Sequence, residues 1–365
     1  MSVRRLAGLL RPDGPRGALP VDGPGWDELL ALAAAHRLLP ALWSSLHGSG
    51  LLPDVPASLR AATAHRLGPT RELPAVVLAD AHARNAARVE DLLAQAATVL
   101  GALEGAGIAA APMKGVDAQW RGRYPDPAAR AMTDIDLLVD PARAREADTI
   151  VRDLGYEEAE APVAEHHLPP LVRPGHLGSV ELHTAVLRGR WQRLLPVADL
   201  LQRSAPAASG PGRRLHPDDA VAILVAHAQL QDEGRVLLEL PLRALHETAL
   251  LLTGDEPVDW AVVAQRLAGA GGRVLPEHLY LTEALLGPSP PVAIPAAARR
   301  RAGMVLAVAD RPRARAALGQ AAFVPRSLSA ERMVAIHGGR DRGVRLWATR
   351  ARHVAAGVVR RLRRG

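Results

Sequence analysis

The sequence predicts an α/β (α+β) protein in which a small mixed sheet is flanked by helical regions on its N-terminal and C-terminal sides. Three observations carry this. Residues 1–95 place apolar side chains at helical spacing, as in Trp26, Leu29, Leu30, Ala33, Leu38 and Leu42. Near residue 110 the pattern changes to short apolar strands, one running through Lys114-Gly115 into a helix and another carrying Asp134-Ile135-Asp136. From residue 218 helical spacing returns and continues toward a basic end. Helix-period and strand-period segments separated in this way define four stretches: 1–95, 96–203, 218–287 and 296–365.

Within the first stretch, Trp26–Trp43 reads as a helix bounded by Pro20–Pro24 and Gly48–Gly50. Ser58–Leu67 and Leu73–Leu100 read as further helices separated by Pro69, the second leading directly into the sheet region. Gly101–Gly107 precedes a strand instead of following one. It therefore reads as a helix C-terminal cap and turn, not as a dinucleotide-binding loop.

The second stretch holds the chemistry. Ile108–Met113 reads as a buried strand, followed by Lys114-Gly115 and the helix-compatible Val116–Arg123. A strand running through glycine into a helix lets backbone approach phosphate and presents free N–H groups. Lys114 is the only lysine among 45 basic residues, the other 44 being arginine. A compact ammonium on a flexible stem is suited to neutralising phosphate.

In the next strand Asp134 and Asp136 point to one face, about 6.5 Å apart along the chain. Carboxylates so placed repel unless a cation lies between them, and a hard divalent ion such as Mg²⁺ suits them. A second strand, Val180-Glu181-Leu182-His183, again puts two polar groups on one face. His183 is positioned to orient a carboxylate or touch substrate. Asp140-Pro141 reads as the cap of a helix ending at Leu154-Gly155, with a short strand over Tyr156–Glu160. His166 and His167, adjacent on a strand, point opposite ways and do not chelate one ion together.

The combination of Met113-Lys114-Gly115, Tyr124-Pro125-Asp126-Pro127, Arg130 through Val139, Leu154-Gly155-Tyr156, His166-His167-Leu168-Pro169-Pro170-Leu171 and Val180–His183 resembles the bacterial "uncharacterised nucleotidyltransferase" family of the DNA polymerase beta-type superfamily. The resemblance runs from about Leu92 to Gly287. It implies a polymerase beta-type core and transfer of an NMP from an NTP to an acceptor with two Mg²⁺ ions. It makes Asp134, Asp136 and Glu181 the metal-binding and catalytic carboxylates, and Lys114, Gly115 and Arg130 the nucleotide-binding residues. Lys114-Gly115 stands where many superfamily members have Gly-Ser. Arg130 is placed either to reach a triphosphate or to pair with an aspartate. A small molecule, peptide or saccharide is the implied acceptor, in natural-product or polysaccharide biosynthesis. The alternatives are a catalytically silent binding or regulatory protein of the same fold and a toxin-like enzyme modifying protein or tRNA.

Ser204–Pro217 reads as a flexible connection. It is followed by helices over Asp218–Gln231, Arg235–Thr253 and Trp260–Ala268, then by a linker at Gly287–Pro295. Composition narrows the function classes. With no cysteine, disulfides, thiol catalysis and thiolate metal sites are excluded, which fits a cytoplasmic protein. Met1–Arg16 lacks the apolar core of a signal peptide, and no window suits a transmembrane helix. At 3% aromatic content, base-stacking platforms are poorly supplied. The net charge of +7 is concentrated from Arg299 onward, where 17 Arg face only Asp310, Glu331 and Asp341. That tail suits an anionic partner, whereas the remainder of the chain is acidic.

Overall fold

A computed structural model of the chain describes residues 2–20, 23–52, 72–160, 165–208, 210–231, 235, 238–311, 313–315 and 317–318. The helix expected over Ser58–Leu67 and most of the basic tail, with its anionic partner, lie outside the described residues.

The centre is a five-stranded mixed sheet of β1 (Ala110–Pro112), β2 (Asp134–Val139), β3 (Glu157–Glu158), β4 (Leu171–Val172) and β5 (Ser179–His183), in the order β1-β2-β5-β4-β3. β2 pairs antiparallel with β1 and parallel with β5. The period of two sorts β2 into two faces. Ile135, Leu137 and Val139 join Val180 and Leu182 in a core against α4 (Glu72–Gly105) and α6 (Ala144–Asp153). Leu138 turns to the opposite face and packs with Ala111, Met113 and the C-terminal helices. Asp134 and Asp136 share that second face with Leu138 by the same alternation.

The N-terminal region comprises α1 (Val3–Leu9), α2 (Gly23–Ala35) and α3 (Leu39–Gly48). The single helix expected over Trp26–Trp43 is two. Arg37 takes a left-handed φ of 55°, Arg37 N donates to Ala34 O, and Leu38 N donates to Ala33 O. This is a Schellman ending with arginine where glycine is usual.

Between α4 and β1 the turn matches the expected cap, with Ile108 N donating to Leu103 O. The helix after β1 is α5 (Lys114–Trp120), beginning two residues earlier than the sequence pattern suggested.

The connection expected over Ser204–Pro217, of which residue 209 lies outside the described residues, carries two short strands. After α7 (Val197–Arg203), β6 (Ala205–Pro206) and β7 (Arg213–Arg214) form a hairpin, and the Arg213 guanidinium donates to Ser204 Oγ and Ser204 O. Beyond it come α8 (Pro217–Ala226) with a π-helical turn His227–Gln231, α9 (Leu242–Thr253), α10 (Trp260–Arg266), α11 (Val274–Leu286) and α12 (Ala296–Val308). The helix expected over Arg235–Thr253 is interrupted: Arg235 is helical, residues 236–237 lie outside the described residues, residues 238–241 are not helical, and α9 starts at Leu242. Pro241, which lacks an N–H and suits a helix beginning, sets the boundary. α11 was not anticipated. Its Leu281, Leu285 and Leu286 join Leu6, Leu9, Leu42 and Leu245 in one core, so helices from both ends of the chain pack together.

Candidate active site

The site is built on the face of the sheet opposite α4. Asp136 on β2 is directly in register with Glu181 on β5, and Asp134 with Ser179. Asp136 is buried, with 2% of its side chain exposed, against 20% for Glu181. His183, two residues beyond Glu181 on the same face, is also buried. Its Nε2 donates to Asp136 Oδ1 at 2.7 Å and lies 3.5 Å from Glu181 Oε2. Donor atoms of Asp136, Glu181 and His183 all lie within 4.8 Å of one another, a group able to hold a metal ion. Asp134 stands beside this trio on the same strand face, not within it.

Lys114 faces the group. It takes a left-handed φ of 51°, and its Nζ donates to Asp136 Oδ1 at 2.7 Å. Non-glycine residues held in this region carry strain that the surrounding structure must impose. Gly115 follows for a steric reason. A Cβ there would meet Arg130 Nη1 at 2.8 Å and Met132 Cε at 3.0 Å. The turn and the Arg130 loop therefore pack without room for a side chain.

Arg130 is positioned by two elements. Asn85 on α4 donates to Ala128 O and Arg130 O at 2.8 and 2.7 Å and accepts from Met132 N, pinning the loop. Glu247 on α9 accepts from Arg130 Nε at 3.0 Å and also meets Arg123. Of the two placements open to Arg130, the charge partner is thus a glutamate from the C-terminal helices. Arg123 and Arg121 continue the network to Glu256 and the buried Asp117. Glu247, missed in the sequence, had one signal: a carboxylate inside the apolar run Leu242–Leu252.

These contacts set the charge states. Burial alone would push the Asp136 carboxyl up, but Lys114 and His183 outweigh it and hold it well below the usual carboxylate range. Asp134 is pushed up by burial and by the neighbouring Asp136 charge. The hydrogen bond from His183 holds Glu181 down. For His183, burial disfavours the cation, yet Asp136 and Glu181 prevail and raise it. His166 is pushed down to about 3, chiefly by burial, and its Nε2 pairs with Gln231 at 2.9 Å. His167 Nδ1 donates to Leu168 O, and its Nε2 lies 3.6 Å from Glu181. The expected strand placement does not hold: His166 lies in a turn and His167 at an isolated bridge to His183, and instead of pointing opposite ways the two rings meet, centroids 4.7 Å apart, beside the His183 ring.

Asp134 and Asp136 open onto a cleft of about 870 Å³. Lys114, Gly115, Arg130, Asp134 and Asp136 line one wall, and residues of α2, α8 and α9 line the other. The volume falls within the range of small-molecule pockets, roughly 300–1,000 Å³.

A mixed α/β protein whose central strands carry an Asp/Glu/His group able to hold a metal ion, with its Asp136 lining such a cleft beside a strand–Lys-Gly–helix turn, suits the nucleotidyltransferase class, whose general activity is NMP transfer. The family described as "uncharacterised nucleotidyltransferase" matches residues 22–287, and the chain belongs to it. Comparisons with curated proteins and with solved structures give no match. No helix among the described residues is long and apolar enough to cross a membrane.

Proposed function

We propose that the protein transfers a nucleoside monophosphate from an NTP to an acceptor hydroxyl or phosphate and releases pyrophosphate. The observation that carries this reading is the register of Asp136 with Glu181, with Asp134 on the same face and both aspartates lining the cleft that Lys114 and Gly115 also line. Asp134, Asp136 and Glu181 would hold two Mg²⁺ ions. The donor set fits: the carboxylate oxygens are hard donors, and the Lys114 ammonium at 2.7 Å from Asp136 marks a place where positive charge is favoured. Bound there, the ions supply charge compensation for an in-line displacement.

The chain's own residues do the rest. Lys114 and the turn through Gly115 receive the triphosphate, with Arg130 supporting that turn from beneath. The acceptor oxygen attacks the α-phosphorus, the bond to the β-phosphate oxygen breaks, and pyrophosphate carries the electron pair away. Glu181, more exposed than Asp136, accepts the acceptor's proton at a carboxylate oxygen. The cleft volume suits a nucleotide with a small-molecule, peptide or saccharide acceptor.

One observation favours a catalytically silent protein of the same fold: the Lys114 ammonium already satisfies Asp136. Incubating the protein with each of the four NTPs and Mg²⁺ separates the two readings. Pyrophosphate release from one of them, followed by transfer of label into a lysate, establishes the enzyme and shows its acceptor class. No release from any NTP, with acceptors present, establishes the silent protein.

A further inference from the structure

Two arginines on the far wall of the cleft have no part in the sequence argument. Arg243 is the second residue of α9, and its guanidinium is largely withdrawn from solvent. Among the described residues it makes one side-chain hydrogen bond, Nη1 to Ala131 O at 3.3 Å, and no ion pair. Glu247, one turn further along the helix, is already bound by Arg123 and Arg130. Burial and the neighbouring Arg130 charge disfavour the Arg243 cation and Arg37 adds to the repulsion, outweighing the opposite pull of Glu247 and Tyr124. Arg37 lies on the same cleft, at the left-handed residue ending α2, and its one side-chain hydrogen bond among the described residues is to Thr133 Oγ1 at 3.4 Å.

The backbone adds to this. α9 is 12 residues long and has no side-chain cap, and Leu240 through Ala244 line the cleft. Arg243 N and Ala244 N find no acceptor among the described residues. Uncapped N–H groups at a helix start favour an anion, as does a half-buried guanidinium with no ion-pair partner. With the exposed Arg37 beside the half-buried Arg243 in one cleft, a multiply charged anion is favoured there.

We propose that Arg37 and Arg243, carried by the helical regions on either side of the sheet, together with the start of α9, hold the β- and γ-phosphates of the bound nucleotide. This rests on the nucleotidyltransferase reading and deepens it. The N-terminal helices then belong to the substrate site. The polyphosphate lies between the Lys114 turn and the α9 start, placing the α-phosphorus toward Asp134 and Asp136. Guanidinium forks replace part of the backbone cradle that a Gly-Ser turn supplies elsewhere.

The test is calorimetric titration of the full chain with inorganic tripolyphosphate in EDTA, alongside pyrophosphate release with NTP and Mg²⁺. Tripolyphosphate binds the unmodified protein. Arg243→Gln and Arg37→Gln each weaken binding roughly tenfold or more, Arg243→Lys recovers part of it, and Arg145→Gln on the exposed face of α6 changes nothing. Circular dichroism confirms folding of each variant. Should Arg243→Gln not fold, Arg37→Gln, at an exposed residue, decides. Equal affinity in all folded variants overturns the proposal, as does absence of tripolyphosphate binding by the unmodified protein. Arginine-dependent binding without pyrophosphate release sustains the anion subsite and removes the enzymatic reading. Pyrophosphate release with arginine-independent binding does the reverse.

Discussion

Lys114 Nζ donates to Asp136 Oδ1 at 2.7 Å, joining residues 22 apart in the chain across the mouth of the cleft. Asp136 also accepts from His183, so one buried carboxylate oxygen gathers two donors. Under the proposed function, a divalent cation held by Asp136 would compete with that ammonium and free it for the substrate's phosphates. Asp134→Asn and Asp136→Asn each reduce pyrophosphate release at least about a hundredfold, with the circular dichroism spectrum retained. Lys114→Ala raises the NTP concentration needed, and Lys114→Arg does not restore it, because a planar fork at a left-handed backbone position cannot reproduce the ammonium contact. Equal activity in Lys114→Ala, Lys114→Arg and the unmodified protein removes the lysine from the mechanism.

Binding of Mg²⁺ to the folded chain alone stabilises it by mass action, about 2.7 kcal/mol at a hundred times the dissociation constant. The melting temperature accordingly rises with Mg²⁺ concentration. In Asp136→Asn the rise is lost; an unchanged rise in that variant places the ion elsewhere.

Gly115→Ala introduces a methyl 2.8 Å from Arg130 Nη1 and 3.0 Å from Met132 Cε. Arg130 is tied to Glu247 and cannot swing aside freely. A cost of about 1–3 kcal/mol follows, together with weaker nucleotide binding. Denaturant titration measures the first and NTP titration the second. A stability change below about 0.5 kcal/mol shows that the loop yields.

Glu247 is buried and meets both Arg123 and Arg130. Glu247→Gln leaves the buried Arg130 guanidinium without its ion-pair partner, while Arg123 keeps Asp117 and Glu256, and destabilises the fold by roughly 3–5 kcal/mol. Because Arg130 supports the turn at Gly115, nucleotide affinity falls as well. Equilibrium unfolding in urea gives the first quantity.

His278 is neutral in the folded protein. Gln229 Nε2 lies 3.2 Å from its Nδ1, and Thr248 Oγ1, which donates to Ala244 O, lies 2.9 Å from its Nε2. Burial pushes its pKa down to about 3, and that of His246 down to about 4, from an ordinary 6.5. The unfolded chain therefore takes up protons below pH 6.5 that the folded chain refuses. Their contribution is fully present above pH 6.5 and falls on acidification, by about 1.4 kcal/mol per pH unit for each histidine. Melting curves between pH 7.5 and 5 record the slope, and His278→Gln removes its share of it. An unaltered slope in that variant assigns the acid sensitivity to other groups.

The parts of the site that follow a local period were legible in the sequence. Alternation alone put Asp134 with Asp136 and Glu181 with His183 on common faces, and the strand–Lys-Gly–helix junction marked the turn proposed to receive phosphate. Legibility ended where contacts span the chain. The Asp136–Glu181 register depends on a parallel pairing that no local pattern records. Arg130 meets Glu247 only because α9 packs against the Pro127–Met132 loop. Arg37 ends α2 in a left-handed turn that composition assigns to glycine, so Trp26–Trp43 looked continuous. Likewise, Ser204–Pro217 carries the residues of a loose linker, yet Arg213 bonds back to Ser204 and closes it into a hairpin.

The helix at the very start of the chain has a practical corollary. The family match begins at residue 22, yet Leu6, Leu9 and Leu10 are wholly enclosed, Val3 N donates to Asp310, and Arg11 lies over Gly287, whose φ of 99° suits only glycine. Trimming a recombinant fragment to the family boundary strips a greasy keel from the bundle and lays bare the leucines that α1 had shielded. Such a truncated product clumps in the test tube, and its silence in an assay says nothing about the intact molecule.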